Sequence, residues 1–370
     1  MAPPPQTCCK AADRAALKPH QIFWTLPQEG ITATDGTRRP QRGHPPDPGP
    51  GMPSHVLISS VKNEGPFLLE WVAHHLGLGF DAIYVASNDC SDGTAELLDA
   101  LHRAGVVVHM PNIIGPDDIP QHAGYLKIRQ THPIDAAGWL MVLDADEFLN
   151  VHIGAHTVQD LTALAGPQTD IIRVFGRTFS DTPQTCWTPG QVTQLFPNAL
   201  PAKSRTNTSL KTLTTNPRRF GKIHNHHMAR FKGAGPLNVF CAGSGTHFQM
   251  AVDAPLSVGL RHAKKPEIGH RIAQYNHYSI KTLDSFTLRR LRGRGARPPS
   301  EGVNAHHTYD YFDDRSAKGA PELSIARYNT KTTAMLQRLL QEPEILAAHL
   351  ACEAAHGAAI RALADQMDMD

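Results

Sequence analysis

The chain has 370 residues, enough for two average domains or for one large α/β domain with an extension. Hydrophobic residues make up 41% of it and charged residues 19%, which excludes global disorder. A formal net charge of +2 with histidine neutral excludes a chain built as a whole around a polyanionic partner, so any basic site must be local.

Residues 1–53 are rich in proline and poor in apolar side chains, and read as a flexible leader dispensable for the core. Phe23, Trp24 and Leu26 are its one apolar cluster. Regular patterning begins at Val56. Residues 56–60 form a short apolar run of strand length, and Gly65-Pro66 opens a helix over 67–78. A second strand is expected at 82–86, with Ser91 or Asp92 capping a helix over 95–104. Strands at 106–110 and 139–143 flank a helix over 121–137. Short buried strands alternating with helices predict an α/β fold with a mostly parallel central sheet, whose ligands bind beyond the carboxyl ends of the strands. After Asn150 a helix near 157–165 and a strand near 170–175 lead into a loop-rich, histidine-rich stretch to about 270, expected to supply mixed strands over the mouth of the site. A helix at 282–291 and one or two alanine-rich helices within 332–367 follow, the latter expected to pack on the outside. The domain reading is therefore a leader (1–53), an α/β domain (54–295) and a C-terminal helical extension (296–370).

The six cysteines lack zinc-ribbon or redox-motif spacing and read as reduced thiols. No stretch reaches the ~20 apolar residues of a membrane-spanning helix. The expected location is cytoplasmic.

The strongest chemical signal is Trp139-Leu-Met-Val-Leu-Asp144-Ala-Asp146-Glu147-Phe148. A buried strand ending in two carboxylates one residue apart places both at the ligand edge of the sheet, and alternate residues of an extended segment point the same way. Such a pair suits Mg²⁺ or Mn²⁺, which take a few carboxylates and complete their shell with water and substrate phosphates. Asp-x-Asp alone also occurs in many solvated turns. Its place after a buried strand gives it weight. Ser87-Asn-Asp-Cys-Ser-Asp92-Gly93-Thr94 and Val61-Lys-Asn63-Glu64 end the second and first strands, so three strand ends converge on one crevice. Lys281, Arg289, Arg290, Arg292, Arg294 and Arg297 form a local basic cluster suited to a diphosphate, or else a solvated helix face. No aromatic stacking pattern accompanies it, which argues against nucleic acid. His224, His226 and His227 lack the i, i+4 spacing and partnered carboxylate of familiar catalytic zinc sites, and a surface loop is the default reading there.

With these residues in view, the span 61–80, the Ser91-Asp92-Gly93-Thr94 turn and Leu143-Asp-Ala-Asp-Glu-Phe148 resemble family 2-type glycosyltransferases of the GT-A fold. The branch they resemble most is that of glycosyltransferase family 92. The likeness extends more loosely through Asn276-His277-Tyr278 to Gly293. It implies a GT-A type nucleotide-sugar-binding fold and a metal-dependent, inverting transfer of sugar from a nucleotide-diphosphate donor, UDP-sugars foremost, to a glycan, lipid-linked glycan or other hydroxyl acceptor. It also implies a place in polysaccharide biosynthesis and leaves room for peripheral membrane contact. Residue by residue, it implies Asp144 and Asp146 as the metal and diphosphate pair, with His277 as a further metal ligand. Asn63, Glu64 and Asp92 fall where the donor's uracil and ribose are held, and Lys281 and Arg292 where the diphosphate lies. Arg289 stands where related sequences often carry Lys, and Lys211 where they often carry a basic residue. Inversion requires a carboxylate to accept the acceptor's proton. Asp181, just beyond the strand that starts near 170, is the first candidate, ahead of Asp253 and Glu267. The competing readings are a metal-dependent nucleotidyltransferase or phosphohydrolase, and a non-catalytic carbohydrate-binding relative.

Overall fold

A computed structural model describes residues 54–252, 256–293, 295–301, 307–316 and 318–367. The leader, Asp253 and Arg294 lie outside these described residues. The N-terminal half alternates as expected: β1 (His55–Val61), α1 (Gly65–Leu78), β2 (Ala82–Ser87), α2 (Thr94–Arg103), β3 (Val108–Pro111), α3 (Pro120–Thr131), β4 (Trp139–Val142), β5 (Glu147–Val151), α4 (Val158–Ala165) and β6 (Ile171–Thr178). Local signals set the boundaries. Pro66 sits in the first turn of α1, and Gly79 closes that helix at φ 104°, a left-handed conformation that costs glycine little. α3 ends at Thr131, short of the expected 137, because Pro133 has no backbone N–H and disfavours helix in the residue before it; a 3₁₀ turn, Ile134–Ala136, takes up the remainder.

The second half comprises α5 (Val192–Leu195), β7 (Asn198–Ala199), β8 (Leu210–Thr215), β9 (Phe220–Ile223), β10 (Met228–Phe231), β11 (Leu237–Cys241), β12 (Thr246–Met250), α6 (Leu256–Arg261) and β13 (Ala273–His277). Helices α7 (Leu283–Leu291) and α8 (Tyr309–Asp313), strand β14 (Ala320–Pro321), and helices α9 (Asn329–Leu339) and α10 (Pro343–Met367) complete the chain. The main sheet has ten strands, in the order β12-β11-β6-β8-β4-β1-β2-β3, with β13 paired to β6 and β5 to β13. β1, β2, β3, β4, β6, β11 and β13 share one direction, while β5, β8 and β12 oppose it. This is the mostly parallel α/β sheet with C-terminal helices that the sequence led us to expect.

One expectation is corrected. The histidine-rich stretch does more than cover the mouth, because β8 lies inside the sheet between β4 and β6. Both faces of the sheet are covered, as a central parallel strand requires. Along β1, Leu57 and Val61 enter the core beneath α1 and α2, while Val56 and Ile58 enter the one beneath α3. The period-2 alternation of a strand thus feeds two apolar layers.

α1 also completes the sheet. β5 pairs with β13 along one edge only, and its other edge is met by side chains: Trp71 Nε1 donates to the Glu147 carbonyl at 2.9 Å, and His74 Nε2 lies 2.8 Å from the Leu149 carbonyl. The Leu149 N–H reaches His75 Nε2 at 3.3 Å, while His75 Nδ1 meets the Trp71 carbonyl at 2.8 Å. His75, which accepts at Nε2 and donates at Nδ1, must be a neutral imidazole, while His74 donates through Nε2. Burial pushes the His74 pKa down to about 4, and that of His75 well below its usual value. The unfolded chain therefore takes up the proton first. Stability is complete above about pH 6.5 and is lost as pH falls toward about 4; His74 alone accounts for on the order of 3 kcal/mol. The melting temperature of the wild type should thus fall more steeply between pH 7 and 4.5 than that of His74→Gln. Equal slopes would contradict a ring held neutral by burial.

Candidate active site at the carboxyl edge of the sheet

The Asp-Ala-Asp segment is a turn and not a continued strand. β4 stops at Val142, β5 starts at Glu147, and the Glu147 N–H bonds back to the Asp144 carbonyl at 3.0 Å. The alternation argument therefore does not apply to the two aspartates, and they face different partners. Asp144, whose side chain is 29% exposed, accepts from Gln121 Nε2 at 2.9 Å and from Lys211 Nζ at 3.1 Å. Lys211 is fully buried on β8, where it also holds Glu147 Oε2 at 2.7 Å and the Asn225 carbonyl at 2.7 Å. Burial opposes its charge, but Asp144 and Glu147 outweigh that and raise its pKa. Burial is also the main reason the Glu147 carboxyl is raised, with Lys211 opposing.

Asp146 is buried and faces the other way. Arg289 of α7 bonds its carboxylate, and His277 Nε2 lies 3.5 Å from Oδ2. The sheet explains how residues so far apart in sequence meet. In the antiparallel β5–β13 pair His277 stands opposite Glu147, and the Tyr278 N–H bonds the Asp146 carbonyl at 2.9 Å. Burial works against ionisation of Asp146, but Arg289 first and His277 next hold its pKa well below the usual carboxylate range. The expected trio thus becomes a pair. Asp146 and His277 are together, and Asp144 is turned to Lys211. Among the described residues no group of three or more His, Cys, Asp or Glu is arranged to hold a metal. Asp146 with His277, one-quarter exposed, still offers two ligands, and a Mg²⁺- or Mn²⁺-type cation accepts such a partial set when water and substrate phosphates supply the rest.

A cleft of about 340 Å³ meets this pair through Arg289, which bonds Asp146, and is lined among others by Asn63, Glu64, Asp92, Lys281, Arg289 and Arg292. Arg292, at the end of α7, bonds the carbonyls of Lys62 and Asn63 and the Glu64 carboxylate. Glu64 is buried, which raises its pKa, yet Arg292, Lys281 and Arg289 outweigh burial and hold it below normal. Lys281 is buried with its ammonium 4.3 Å from the centre of the Phe67 ring, and burial lowers its pKa against the pull of Glu64 and Asp146. Asn63 and Asp92 also shape the loops that carry them. Asn63 Oδ1 accepts the Ser91 N–H at 2.8 Å, and Asp92 ties two helix starts together by accepting from the N–H groups of Gly65 and Thr94, each at 3.0 Å.

The remaining candidates separate. Asp181 lies just past β6 on the same edge, where the Phe179 N–H bonds the His277 carbonyl, and it accepts from the hydroxyls of Ser180 at 3.0 Å and Ser316 at 2.8 Å. Glu267 pairs with Arg173, toward the other end of β6, and so stands away from this edge. Arg290 packs on Tyr309. His224 stacks on His226 and lies tilted against His227, His122 reaches His224, and burial lowers the pKa values of all four rings. Three contributors escaped the sequence reading: Glu147, Gln121 and helix α10, which lines the cleft through Ala355, His356 and Ala359. Gln121 and α10 carry no local signal. Glu147 belongs to the Asp-Ala-Asp-Glu motif, but only the register of β5 assigns it to Lys211.

No known family profile matches the chain. Among curated proteins, a glycosyltransferase family 92 protein of Oryza sativa subsp. japonica is 23% identical over 181 residues, which cover 47% of this chain and 30% of that protein's length. Among solved structures, glucosyl-3-phosphoglycerate synthase from Mycobacterium tuberculosis, in complex with Mn²⁺, UDP and glucosyl-3-phosphoglycerate, matches 34% of this chain and 44% of its own, with 15% identity and a TM-score of 0.23. The mannosyltransferase PcManGT from Pyrobaculum calidifontis, in complex with GDP-Man and Mn²⁺, matches 86% of this chain and 81% of its own, with 13% identity and a TM-score of 0.30. In sequence, then, the chain is similar to a glycosyltransferase family 92 protein, the branch to which its strand-end motifs point.

Proposed function

We propose that this chain is a glycosyltransferase that moves a sugar from a nucleotide-diphosphate donor, UDP-sugars being the first class to test, to a hydroxyl acceptor on a glycan. The observation that carries this reading is the junction of the Asp146–His277 pair with a cleft lined by Lys281, Arg289 and Arg292 at the carboxyl edge of the sheet. The sequence likeness to a family 92 glycosyltransferase supports it.

A divalent cation held by Asp146 and His277 would offset the negative charge of the donor phosphates. The chain's own residues do the rest. Lys281, Arg289 and Arg292 bring fixed positive charge to the place where the leaving diphosphate gains negative charge, in a cleft lined by Phe67 and α7. The acceptor oxygen bonds the anomeric carbon as the bond from that carbon to the diphosphate oxygen breaks, and the electron pair leaves with the nucleoside diphosphate. The attack comes on the face opposite the diphosphate, which inverts the anomeric centre, and Asp181 takes the acceptor's proton.

The test is a thermal-shift and turnover screen of UDP-, GDP- and dTDP-sugars with Mn²⁺, since a ligand that binds only the folded state raises the melting temperature. At least one nucleotide sugar should stabilise the protein and release nucleoside diphosphate. Asp181→Asn should keep that binding and lose transfer. Cleavage with no sugar acceptor requirement and a nucleoside monophosphate product would favour a phosphohydrolase instead. His277→Ala should raise the Mn²⁺ concentration for half-maximal binding of the nucleotide about tenfold or more, as loss of a ligand does, and leave binding without metal unchanged. Wild-type metal dependence in that variant would remove His277 from the site.

A further inference from the structure

We propose that helix α10 is the third wall of the donor cleft and that His356 positions the nucleoside part of the bound donor. The inference rests on the donor reading above. Ala355, His356 and Ala359 lie within one turn of α10 and line the cleft beside Phe67 and Ser285. His356 is buried in a fixed setting: its ring meets the edge of Phe67 at 5.5 Å and of Trp187 at 4.8 Å, and its Nε2 is 3.0 Å from Ser285 Oγ. Phe67 carries the Lys281 ammonium on its ring. One chain of contacts therefore joins α10 to the cationic end of the cleft.

The loops beneath the helix are shaped to receive it. A Cβ on Gly65 would stand 2.6 Å from Cys352 Sγ, and one on Gly93 3.0 Å from the same atom, while Gly93 also adopts φ 85°. Cys352 of α10 is fully buried between them. These two glycines belong to the segments that carry Glu64 and Asp92, and Asp92 ties the two segments together. α10 is thus seated on the motif loops, where a helix resting outside the domain would need no such clearance. Small apolar groups (Ala355 and Ala359) and the His356 ring suit a planar base and its ribose, and Arg289, which bonds Asp146, suits the diphosphate. About 340 Å³ falls within the range of small-molecule sites, and α10 supplies one side of it.

The experiment titrates UDP, GDP and dTDP, with Mn²⁺, into full-length wild type, Ala359→Trp and Ala354→Trp by calorimetry, with melting temperatures recorded in parallel. Ala359 is exposed, so an indole there fills the cleft without entering the core, and Ala354 is exposed on the same helix outside the cleft lining. Ala359→Trp should weaken nucleotide binding about tenfold or more, because a bulky ring takes the ligand's place in a shaped cleft. Ala354→Trp should bind as wild type does. His356→Ala should raise the donor KM without moving the half-saturating Mn²⁺ concentration. Wild-type binding by Ala359→Trp overturns the wall, and a His356→Ala variant with unchanged donor KM but lowered melting temperature overturns the positioning role. If wild type itself binds none of the three nucleotides, the donor reading falls and this inference with it, an outcome distinct from both.

Discussion

Asp146→Asn is expected to lower turnover on the order of 10²–10³-fold and to abolish the effect of Mn²⁺ on nucleotide binding. Asp146 is the carboxylate that faces His277 and Arg289, and it is buried, so its charge is little screened. Asparagine keeps one acceptor oxygen for Arg289, which makes loss of chemistry separable from loss of fold. Asp144→Asn should behave differently. Its carboxylate is held by Gln121 and Lys211, so its loss should weaken donor turnover while the metal concentration at half-saturation stays near that of wild type. Equal metal dependence in wild type and Asp146→Asn would dismiss Asp146 as a ligand. An Asp146→Asn chain that unfolds would mark the Asp146–Arg289 pair as structural.

Lys211→Met should be the most destabilising single change at this edge. The lysine is completely buried and its ammonium serves Asp144, Glu147 and the Asn225 carbonyl at once. Removing one member of a buried ionic network leaves the others uncompensated, at a cost of about 3–5 kcal/mol. That is a large part of the roughly 5–15 kcal/mol that separates folded from unfolded states. Glu147 bears most of the loss, because it is nearly inaccessible to water while Asp144 is partly exposed. Adding Glu147→Gln should therefore recover part of the stability, and a double-mutant cycle by urea unfolding measures how much. A loss below about 1 kcal/mol in the single variant would place the lysine among ordinary surface ion pairs.

The N-terminal half of the fold was legible because its signals are local. Pro66 and Gly79 bracket α1, and β1 and β2 are short apolar runs bounded by polar turns. β5 was not legible. No glycine or proline divides the run from Trp139 to Val151, so the turn at Asp144–Asp146 is imposed by pairing with β13. β8 was hidden by its own composition. Leu210-Lys-Thr-Leu-Thr-Thr looks like a surface segment until Lys211 is seen to pair with Asp144 and Glu147 inside the fold. α10 was readable as a helix, but alanine on every side leaves no strong apolar stripe to say which face is buried; in the fold it is the face of Ile345, His349, Cys352 and His356, with Cys352 against Gly65 and Gly93. At the site, strand ends announced Asn63, Glu64, Asp92 and Asp146. The turn of Asp144 toward Lys211 depends on contacts between strands distant in sequence, which no local pattern encodes.

The most direct test of the donor site is the anomalous scattering of Mn²⁺ in crystals of the full chain grown with Mn²⁺ and UDP or GDP. One strong peak is expected between the Asp146 carboxylate and His277 Nε2, with the nucleotide's diphosphate lying toward Arg289 and its base toward α10. A Mn²⁺ peak and nucleotide bound elsewhere on the chain, with Asp146 still closed on Arg289, would contradict it.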